Sequence, residues 1–150
     1  MINCDGLFIC EDSKSVPYKL DLTNKVIICG VPGAFTPGCT RRHLPEFAEN
    51  LQLLKDRGIG KIVFVSVNDA WVMEAWNSQH GSSEIDSVGD PLGKFVSNIG
   101  EFVDKGETLG SRCNRFAILV ENGFIIHKFQ DPFFKGVIET LPIILDKKCS

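Results

Sequence analysis

The chain has 150 residues, 43% of them hydrophobic and 23% charged, which is the size and composition of one ordinary folded domain. Its formal net charge of −3 gives no reason to expect nucleic acid or an anionic membrane as a partner. No apolar run approaches the ~20 residues of a membrane-spanning helix. We therefore expect a single domain over residues 1–150 that binds neither.

The first ten residues, MINCDGLFIC, place Asp5 early and lack a basic region, unlike a secretory signal, so we expect a cytoplasmic protein. Six cysteines form no CxxC pair and no Cys/His group with zinc spacing. They are Cys4, Cys10, Cys29, Cys39, Cys113 and Cys149. A domain of this size needs no disulfide staples, so we expect six reduced thiols. No feature of the sequence calls for a metal, nucleotide or haem cofactor.

In chain order, residues 7–20 predict a weak pair of strands at a sheet edge. Residues 25–31 (KVIICGV) predict a central strand, because their apolar run is continuous rather than alternating. Apolar side chains then recur at helical spacing, at Leu44, Phe47, Ala48, Leu51 and Leu54. Gly58 ends this helix, and Pro45 is expected to kink it because the carbonyl of Arg41 loses its partner.

A second central strand is predicted over residues 61–67 (KIVFVSV), followed by a helix over residues 70–79 and a short helix near residues 91–98. Val72, Ala75 and Trp76 are expected on one side of the helix over residues 70–79.

Residues 115–120 (RFAILV) predict a third central strand. Asn122-Gly123, a favoured two-residue hairpin turn, joins that strand to another over residues 124–129. The last helix covers residues 136–145, and Pro142 must bend or end it.

Strand–helix–strand with continuous apolar strands implies a parallel pair joined by a right-handed crossover. The later hairpin adds antiparallel strands. The expected fold is therefore α/β, with a mixed central sheet and helices on both faces, which is the thioredoxin arrangement.

Residues 31–40, VPGAFTPGCT, lie between the first central strand and its helix. Thr36 suits the N-cap and Pro37 the first helical position, which puts Cys39 in the first turn. There the sulfur faces unsatisfied N–H groups and the positive end of the helix dipole, which favour the thiolate. The alternative is a small residue that fills the start of a helix, and the helix position alone favours that alternative.

The same segment matches Pro-x-x-x-Thr-x-x-Cys, the active-site signature of the peroxiredoxin family, with Pro32, Thr36 and Cys39 in place. The longer string resembles the type II, or atypical, peroxiredoxin-5-like branch. Further motifs follow in the family's order, namely His43-Leu44-Pro45, Ser66-Val67-Asn68-Asp69, Asp90-Pro91 and Arg115-Phe116. The resemblance covers most of residues 25–130.

This resemblance implies a thiol peroxidase that reduces hydrogen peroxide and alkyl hydroperoxides. Cys39 is then the peroxidatic cysteine, whose thiolate attacks the peroxide and becomes a sulfenic acid. Thr36 would hydrogen-bond the thiolate and the peroxide, and Pro32 would shield the pocket. Arg115 would hold the thiolate and polarise the peroxide. For Thr36 and Arg115 the alternatives are a plain N-cap and a solvated charge.

Two positions that carry a second, resolving cysteine in many type II members lack one here. Phe64 stands at the first, and the second, a loop over residues 131–136, contains no cysteine. We therefore expect a one-cysteine mechanism in which an external thiol, either glutathione with glutaredoxin or thioredoxin, reduces the sulfenic acid. Cys113 is the candidate for an internal resolving cysteine, and whether it or Cys149 forms a disulfide with Cys39 stays open.

The resemblance also implies a homodimer packed around the active-site loop, with Phe35 and Trp71 as contacts, although core packing is the alternative for both. Two other functions compete with the peroxidase. A disulfide oxidoreductase needs a CxxC pair, which is missing. A non-catalytic redox sensor, relay or chaperone module would not need Pro32, Thr36 and Arg115 together, so the peroxidase is favoured.

Overall fold

A mixed seven-stranded sheet organises the computed structural model, which describes residues 1–21 and 23–149. In chain order its strands are β1 (Phe8–Glu11), β2 (Lys14–Pro17), β3 (Lys25–Gly30), β4 (Lys61–Ser66), β5 (Ile85–Gly89), β8 (Phe116–Glu121) and β9 (Phe124–Lys128). Their spatial order is β2-β1-β5-β4-β3-β8-β9. A second sheet pairs β6 (Phe102–Asp104) with β7 (Ser111–Cys113).

Strand directions agree with the sequence. The predicted parallel pair is β3 and β4, and β8 runs antiparallel to β3 on the other side. Asn122 and Gly123 have φ values of 53° and 82°, which confirms the two-residue hairpin between β8 and β9. The weak strand pair predicted for residues 7–20 is the β1–β2 hairpin at one edge of the sheet.

Within residues 1–21 and 23–149, six α-helices and one π-helical segment surround the sheet. The π segment is Cys39–His43, and the helices are α1 (Leu44–Glu49), α2 (Leu51–Asp56), α3 (Ala70–His80), α4 (Lys94–Asn98), α5 (Gly106–Leu109) and α6 (Phe134–Cys149). Alternate residues of β3 face opposite ways. Ile27 and Cys29 pack with side chains of α1, α2, α3 and α6, while Val26 and Ile28 pack with side chains of α4. The expected thioredoxin fold, with helices on both faces, is confirmed.

Four elements are missing from the sequence prediction, namely β5, β6, α5 and β7. The segment that forms β5, Ile85–Gly89 (IDSVG), lacks the continuous apolar run of its neighbours. It is a parallel partner of β4 and pairs with β1 on its other side. Its strand conformation is therefore fixed by these partners rather than by its own composition.

The helices differ from the prediction in detail. Asn50, with φ −121° and ψ 23°, breaks the predicted first helix into α1 and α2. Pro45 lies in the first turn of α1, directly after the π segment, where the missing N–H is tolerated. Of the three side chains expected on one side of α3, Trp76 is buried, Val72 is partly buried and Ala75 is exposed. The fully buried residues of α3 are Ala70, Met73 and Trp76.

The last helix starts earlier and continues further than predicted. It begins at Phe134, two residues before the expected start, and runs past Pro142 to Cys149. The alternative in which Pro142 ends the helix is therefore wrong. Among the described residues, no helix is long and apolar enough to cross a membrane.

Candidate active site

The loop after β3 contains the signature residues, and the side chain of Asn68, in the loop after β4, hydrogen-bonds to the backbone of that loop. The amide of Ala34 donates to Oδ1 of Asn68 over 3.1 Å, and Ser66 Oγ donates to the same oxygen over 2.7 Å. Phe35 has φ 65°, a left-handed conformation that few residues with a side chain adopt. Because β3 and β4 are parallel, their ends meet at this point, and Asn68 fixes one loop against the other.

Helical backbone begins at Pro37, as predicted, and the amide of Thr40 donates to the carbonyl of Thr36 over 3.0 Å. It then widens into the π segment, a rare conformation that is found often at functional sites. Trp76 Nε1 donates to Oγ1 of Thr40 over 3.0 Å and ties the segment to α3. Cys39 is the first residue of the π segment and is fully buried.

Two side chains donate hydrogen bonds to the sulfur of Cys39. Thr36 Oγ1 lies 3.0 Å from Sγ, and Arg115 Nη2 lies 3.1 Å from it. Thr36 Oγ1 is also 2.6 Å from the carbonyl oxygen of Gly33. A hydroxyl carries one proton, so it donates to Gly33 when Cys39 is a thiol and to the sulfur when Cys39 is a thiolate. The carbonyl of Thr36 thus accepts the first helical hydrogen bond, while its hydroxyl is the donor to the thiolate form of Cys39.

Arg115 reaches Cys39 because it directly precedes β8, the neighbour of β3 in the sheet. Its other terminal nitrogen, Nη1, donates to Nδ1 of His43 over 3.0 Å. The guanidinium carbon lies 5.1 Å from the centroid of the Phe133 ring, within cation–π range. A β carbon on Gly38 would come 3.0 Å from Nη2. The contacts with His43 and Phe133 hold the guanidinium so that Nη2 is directed at the sulfur.

His43, at the end of the π segment, is fully buried. Its Nε2 lies 2.8 Å from the carbonyl oxygen of Pro132. A carbonyl only accepts, so Nε2 carries the proton, and Nδ1 is free to accept from Arg115. Burial, and then the charge of Arg115, lower the pKa of His43 from 6.5 to about 3. The imidazole is therefore neutral near pH 7.

Of the predicted site residues, the structure brings Cys39, Thr36 and Arg115 together, and Pro32 is half-buried in the same loop. The catalytic role of each of the four stays a prediction. Phe35 and Trp71 are 47% and 54% exposed, so core packing is wrong as the alternative for both.

Cys113 is buried, and its sulfur donates to the carbonyl oxygen of Val31 over 3.0 Å. Burial, and then the charge of Cys39, raise the pKa of the Cys113 thiol to about 12. Cys113 is therefore a protonated thiol near pH 7, whereas attack on a sulfenic acid needs a thiolate.

The remaining cysteines divide by position. Cys29 is fully buried in the core, as predicted for a mid-strand residue, and Cys4 and Cys10 are partly exposed. These three, together with Cys39 and Cys113, are free thiols. The side chain of Cys149 lies outside the described part of the chain. In the described residues, no group of three or more His, Cys, Asp or Glu side chains could hold a metal ion.

Sequence reasoning missed three residues at this site. The sequence identifies His43 only as part of a family motif and Phe133 only within a loop that lacks cysteine, and it assigns no role to Gly38. Their contacts join segments far apart in the chain, so local spacing gave no signal for Phe133. For His43, the clue was a histidine one helical turn after Cys39.

The sequence and the fold are similar to those of known proteins. The Redoxin family model matches residues 7–141. Peroxiredoxin-2E, chloroplastic, from Arabidopsis thaliana is 41% identical over 119 residues, which are 76% of this chain and 51% of that protein. The alignments span between 45% and 66% of the length of the first curated relatives.

Solved structures extend the similarity over nearly the whole chain. Reduced Prx3 from Vibrio vulnificus, in complex with hydrogen peroxide, superposes with a TM-score of 0.85 at 30% identity and covers 90% of this chain and 92% of that one. Peroxiredoxin 5 from Alvinella pompejana gives a TM-score of 0.78 at 30% identity, with 93% and 92% covered.

Proposed function

This chain belongs to the peroxiredoxin family, in its type II branch, and from that premise we propose that it is a thiol-dependent peroxidase. Its substrates are hydrogen peroxide and alkyl hydroperoxides. The observation that carries the proposal is the pair of donors on one sulfur, Thr36 Oγ1 at 3.0 Å and Arg115 Nη2 at 3.1 Å from Cys39 Sγ. A cysteine that only filled space would need neither donor.

In the proposed reaction the Cys39 thiolate attacks the terminal oxygen of ROOH. A sulfur–oxygen bond forms, the O–O bond breaks, and the other oxygen leaves as an alkoxide or hydroxide that takes one proton. The sulfur loses two electrons and becomes a sulfenic acid, while the peroxide is reduced to ROH. Arg115, beside the sulfur, stabilises the thiolate and the negative charge that develops on the leaving oxygen.

Ionisation alone explains little of such a rate. An ordinary thiol is about 3% thiolate at pH 7, so complete ionisation gains at most ~30-fold, or about 2 kcal/mol. Further acceleration must come from holding the O–O bond in line with the sulfur and from stabilising the departing charge. Arg115 and Thr36 are the side-chain donors placed to do both.

We also propose a one-cysteine cycle completed by an external thiol. That thiol condenses with the sulfenic acid to give a mixed disulfide and water, and a second thiol releases reduced Cys39. Two observations support this cycle: Phe64 is fully buried at one family position for a resolving cysteine, and Cys113 is protonated and hydrogen-bonded to Val31. Glutathione with glutaredoxin, or thioredoxin, is the proposed reductant.

The test is peroxide consumption with dithiothreitol or glutathione as reductant. Cys39→Ser should abolish turnover, while Cys10→Ser, a matched change at a partly exposed cysteine of β1, should leave it near the wild-type rate. Turnover that survives in Cys39→Ser would overturn the proposal. Sulfenic acid at Cys39 of the wild type without turnover would instead identify the non-catalytic redox sensor.

A homodimer is proposed around the active-site loop. Support comes from the exposure of Phe35 and Trp71, two large apolar side chains of which Phe35 belongs to that loop. Sedimentation equilibrium should give a dimer for the wild type and a shift toward monomer for Phe35→Ser. A monomeric wild type would refute this assembly.

We propose a cytoplasmic location, which is supported by the five free thiols in the described part of the chain, because cysteines remain reduced in that compartment. Fractionation of cells that carry the untagged native protein, probed with an antibody, would decide the question. Recovery in an organelle or in the medium would contradict it.

A further inference from the structure

The guanidinium of Arg115 sits at the end of a long side chain with several rotatable bonds, and such a group needs support to keep one geometry. Of its two terminal nitrogens, Nη2 is used on the sulfur of Cys39. The other, Nη1, donates to His43 over 3.0 Å, a side chain that makes no hydrogen bond to the sulfur. This second contact decides where Nη2 points.

We infer that His43 is a positioning residue that orients Arg115 toward the sulfur of Cys39, and that it does so by accepting from Nη1 while Pro132 holds its own ring. This role rests on the proposed peroxidase function, because the rate it sets is that of attack on peroxide.

The ring of His43 is fixed independently of Arg115. Its Nε2–H donates to the Pro132 carbonyl over 2.8 Å, which sets the tautomer that leaves Nδ1 as an acceptor. Aromatic rings pack around it, with centroid separations of 5.0 Å to Phe64, 5.0 Å to Phe133 and 5.6 Å to Phe47. The imidazole therefore has a defined orientation before Arg115 approaches it.

Phe133 reinforces the same arrangement from the other side. The centroid of its ring lies 5.1 Å from the guanidinium carbon of Arg115, within cation–π distance. Phe133 directly follows Pro132 in the loop before α6. That loop thus supports the guanidinium twice, once through the Pro132 carbonyl and His43 and once through the Phe133 ring. The site at the end of β3 depends in this way on a segment more than 90 residues further along the chain.

The hydrogen bonds of His43 exclude a role as general base. Its Nε2 proton is engaged by Pro132, its Nδ1 lone pair is occupied by Arg115, and burial with the Arg115 charge keeps its pKa near 3. His43 consequently acts on the reaction only through Arg115. That restriction gives a sharp test, because removing His43 should matter only while Arg115 is present.

The experiment measures single-turnover sulfenic acid formation, by rapid mixing with hydrogen peroxide, trapping with dimedone and intact-mass analysis. His43→Phe keeps an aromatic ring in the same cage but removes both hydrogen bonds. We expect the second-order rate constant to fall at least about 10-fold, since one misdirected charge-stabilising donor costs that much or more. His127→Phe, the same change on β9, is the matched control and should keep the wild-type rate.

Two further comparisons separate positioning from general damage. In an Arg115→Ala background, His43→Phe should slow the reaction less than two-fold further. His43→Asn, whose side-chain oxygen lies near the position of Nδ1, should recover part of the loss and also serves if the Phe variant does not fold. A wild-type rate in His43→Phe, or full additivity with Arg115→Ala, would overturn the inference.

A readout independent of activity distinguishes this inference from the function on which it rests. Nitrogen NMR of the Arg115 side chain should show hindered rotation of the guanidinium in wild type and fast averaging in His43→Phe. Wild-type protein that shows hindered rotation but forms no sulfenic acid would refute the peroxidase and leave the contact intact. Fast averaging in the wild type would refute the positioning role itself.

Discussion

Arg115 and Cys39 are 76 positions apart in the chain, yet Nη2 of the arginine lies 3.1 Å from the sulfur of the cysteine. The contact forms because β8, which Arg115 precedes, is the antiparallel neighbour of β3, which leads into the Cys39 loop. A full positive charge is thereby supplied to the sulfur from a strand end, where sheet pairing limits its movement.

Arg115→Ala should slow attack on peroxide by more than the ~30-fold that ionisation alone accounts for. The reason is that the guanidinium acts on the developing charge of the transition state as well as on the thiolate. Stopped-flow rates should be compared at a pH at which both proteins are fully thiolate. Arg41→Ala, an exposed arginine of the π segment, is the control, and equal rates for Arg115→Ala and wild type would confine Arg115 to ionisation.

Gly38→Ala should reduce the rate of peroxide attack several-fold without unfolding the protein. The backbone at Gly38 is helical, with φ −66° and ψ −36°, so alanine fits the conformation. Its β carbon, however, would lie 3.0 Å from Nη2 of Arg115 and press on the nitrogen that serves the sulfur. Thermal melts and single-turnover rates measured on the same sample separate the two effects. An unchanged rate would show that the guanidinium tolerates this displacement.

Cys113→Ser should retain turnover with an external thiol within about two-fold, because serine can also donate to the Val31 carbonyl. After one equivalent of peroxide and without added thiol, non-reducing peptide mapping of the wild type should recover sulfenic acid at Cys39. A Cys39–Cys113 disulfide in high yield, with turnover lost in the serine variant, would establish an internal resolving cysteine instead.

Protein stability should fall on acidification because of His43. Its pKa is 6.5 when unfolded and about 3 when folded, since burial and the neighbouring charges of Arg115 and Arg42 oppose protonation, against the favourable Pro132 carbonyl. Below pH 6.5 the unfolded state therefore binds the proton that the folded state excludes. Each pH unit costs about 1.4 kcal/mol, or about 3 kcal/mol by pH 4.

Urea denaturation of wild type and His43→Phe at several pH values from 7 to 4 measures this dependence. The wild type should lose stability more steeply, and the difference between the two proteins should shrink as the pH falls. Parallel curves for the two proteins would mean that His43 is protonated equally in both states.

Strong local signals in the sequence were enough for β3, β4, β8 and the β8–β9 turn, because these segments are continuously apolar or need positive φ. The segment that forms β5 has Asp86 and Ser87 in its middle and becomes a strand through pairing with β4. The short strands β6 and β7 also form through pairing, since each has three residues and its strand partner in the second sheet is the other. Composition carries little information about strands of this kind.

In the site, too, some residues could be predicted from the sequence and others depend on contacts made only in the fold. A sequence signature pointed to Cys39 and Thr36, and a family motif pointed to Arg115. The support behind Arg115 was not predicted, because it depends on a main-chain carbonyl at Pro132 and on the tautomer of His43. Neither a carbonyl direction nor a tautomer is encoded in residue type, so only the assembled fold reveals them.

The hydrogen bond from Trp76 to Thr40 puts a chromophore next to the residue that follows Cys39. Trp76 is fully buried, whereas the second tryptophan, Trp71, is 54% exposed and donates to the carbonyl of Ser13. Indole emission depends on its polar contacts and on access of water, so the two side chains emit from different environments. We therefore expect the blue-shifted component of the emission to come from Trp76, whose indole is bonded to the π segment next to Cys39. A change in that component after peroxide is added would report a rearrangement of the π segment without a dye or added label.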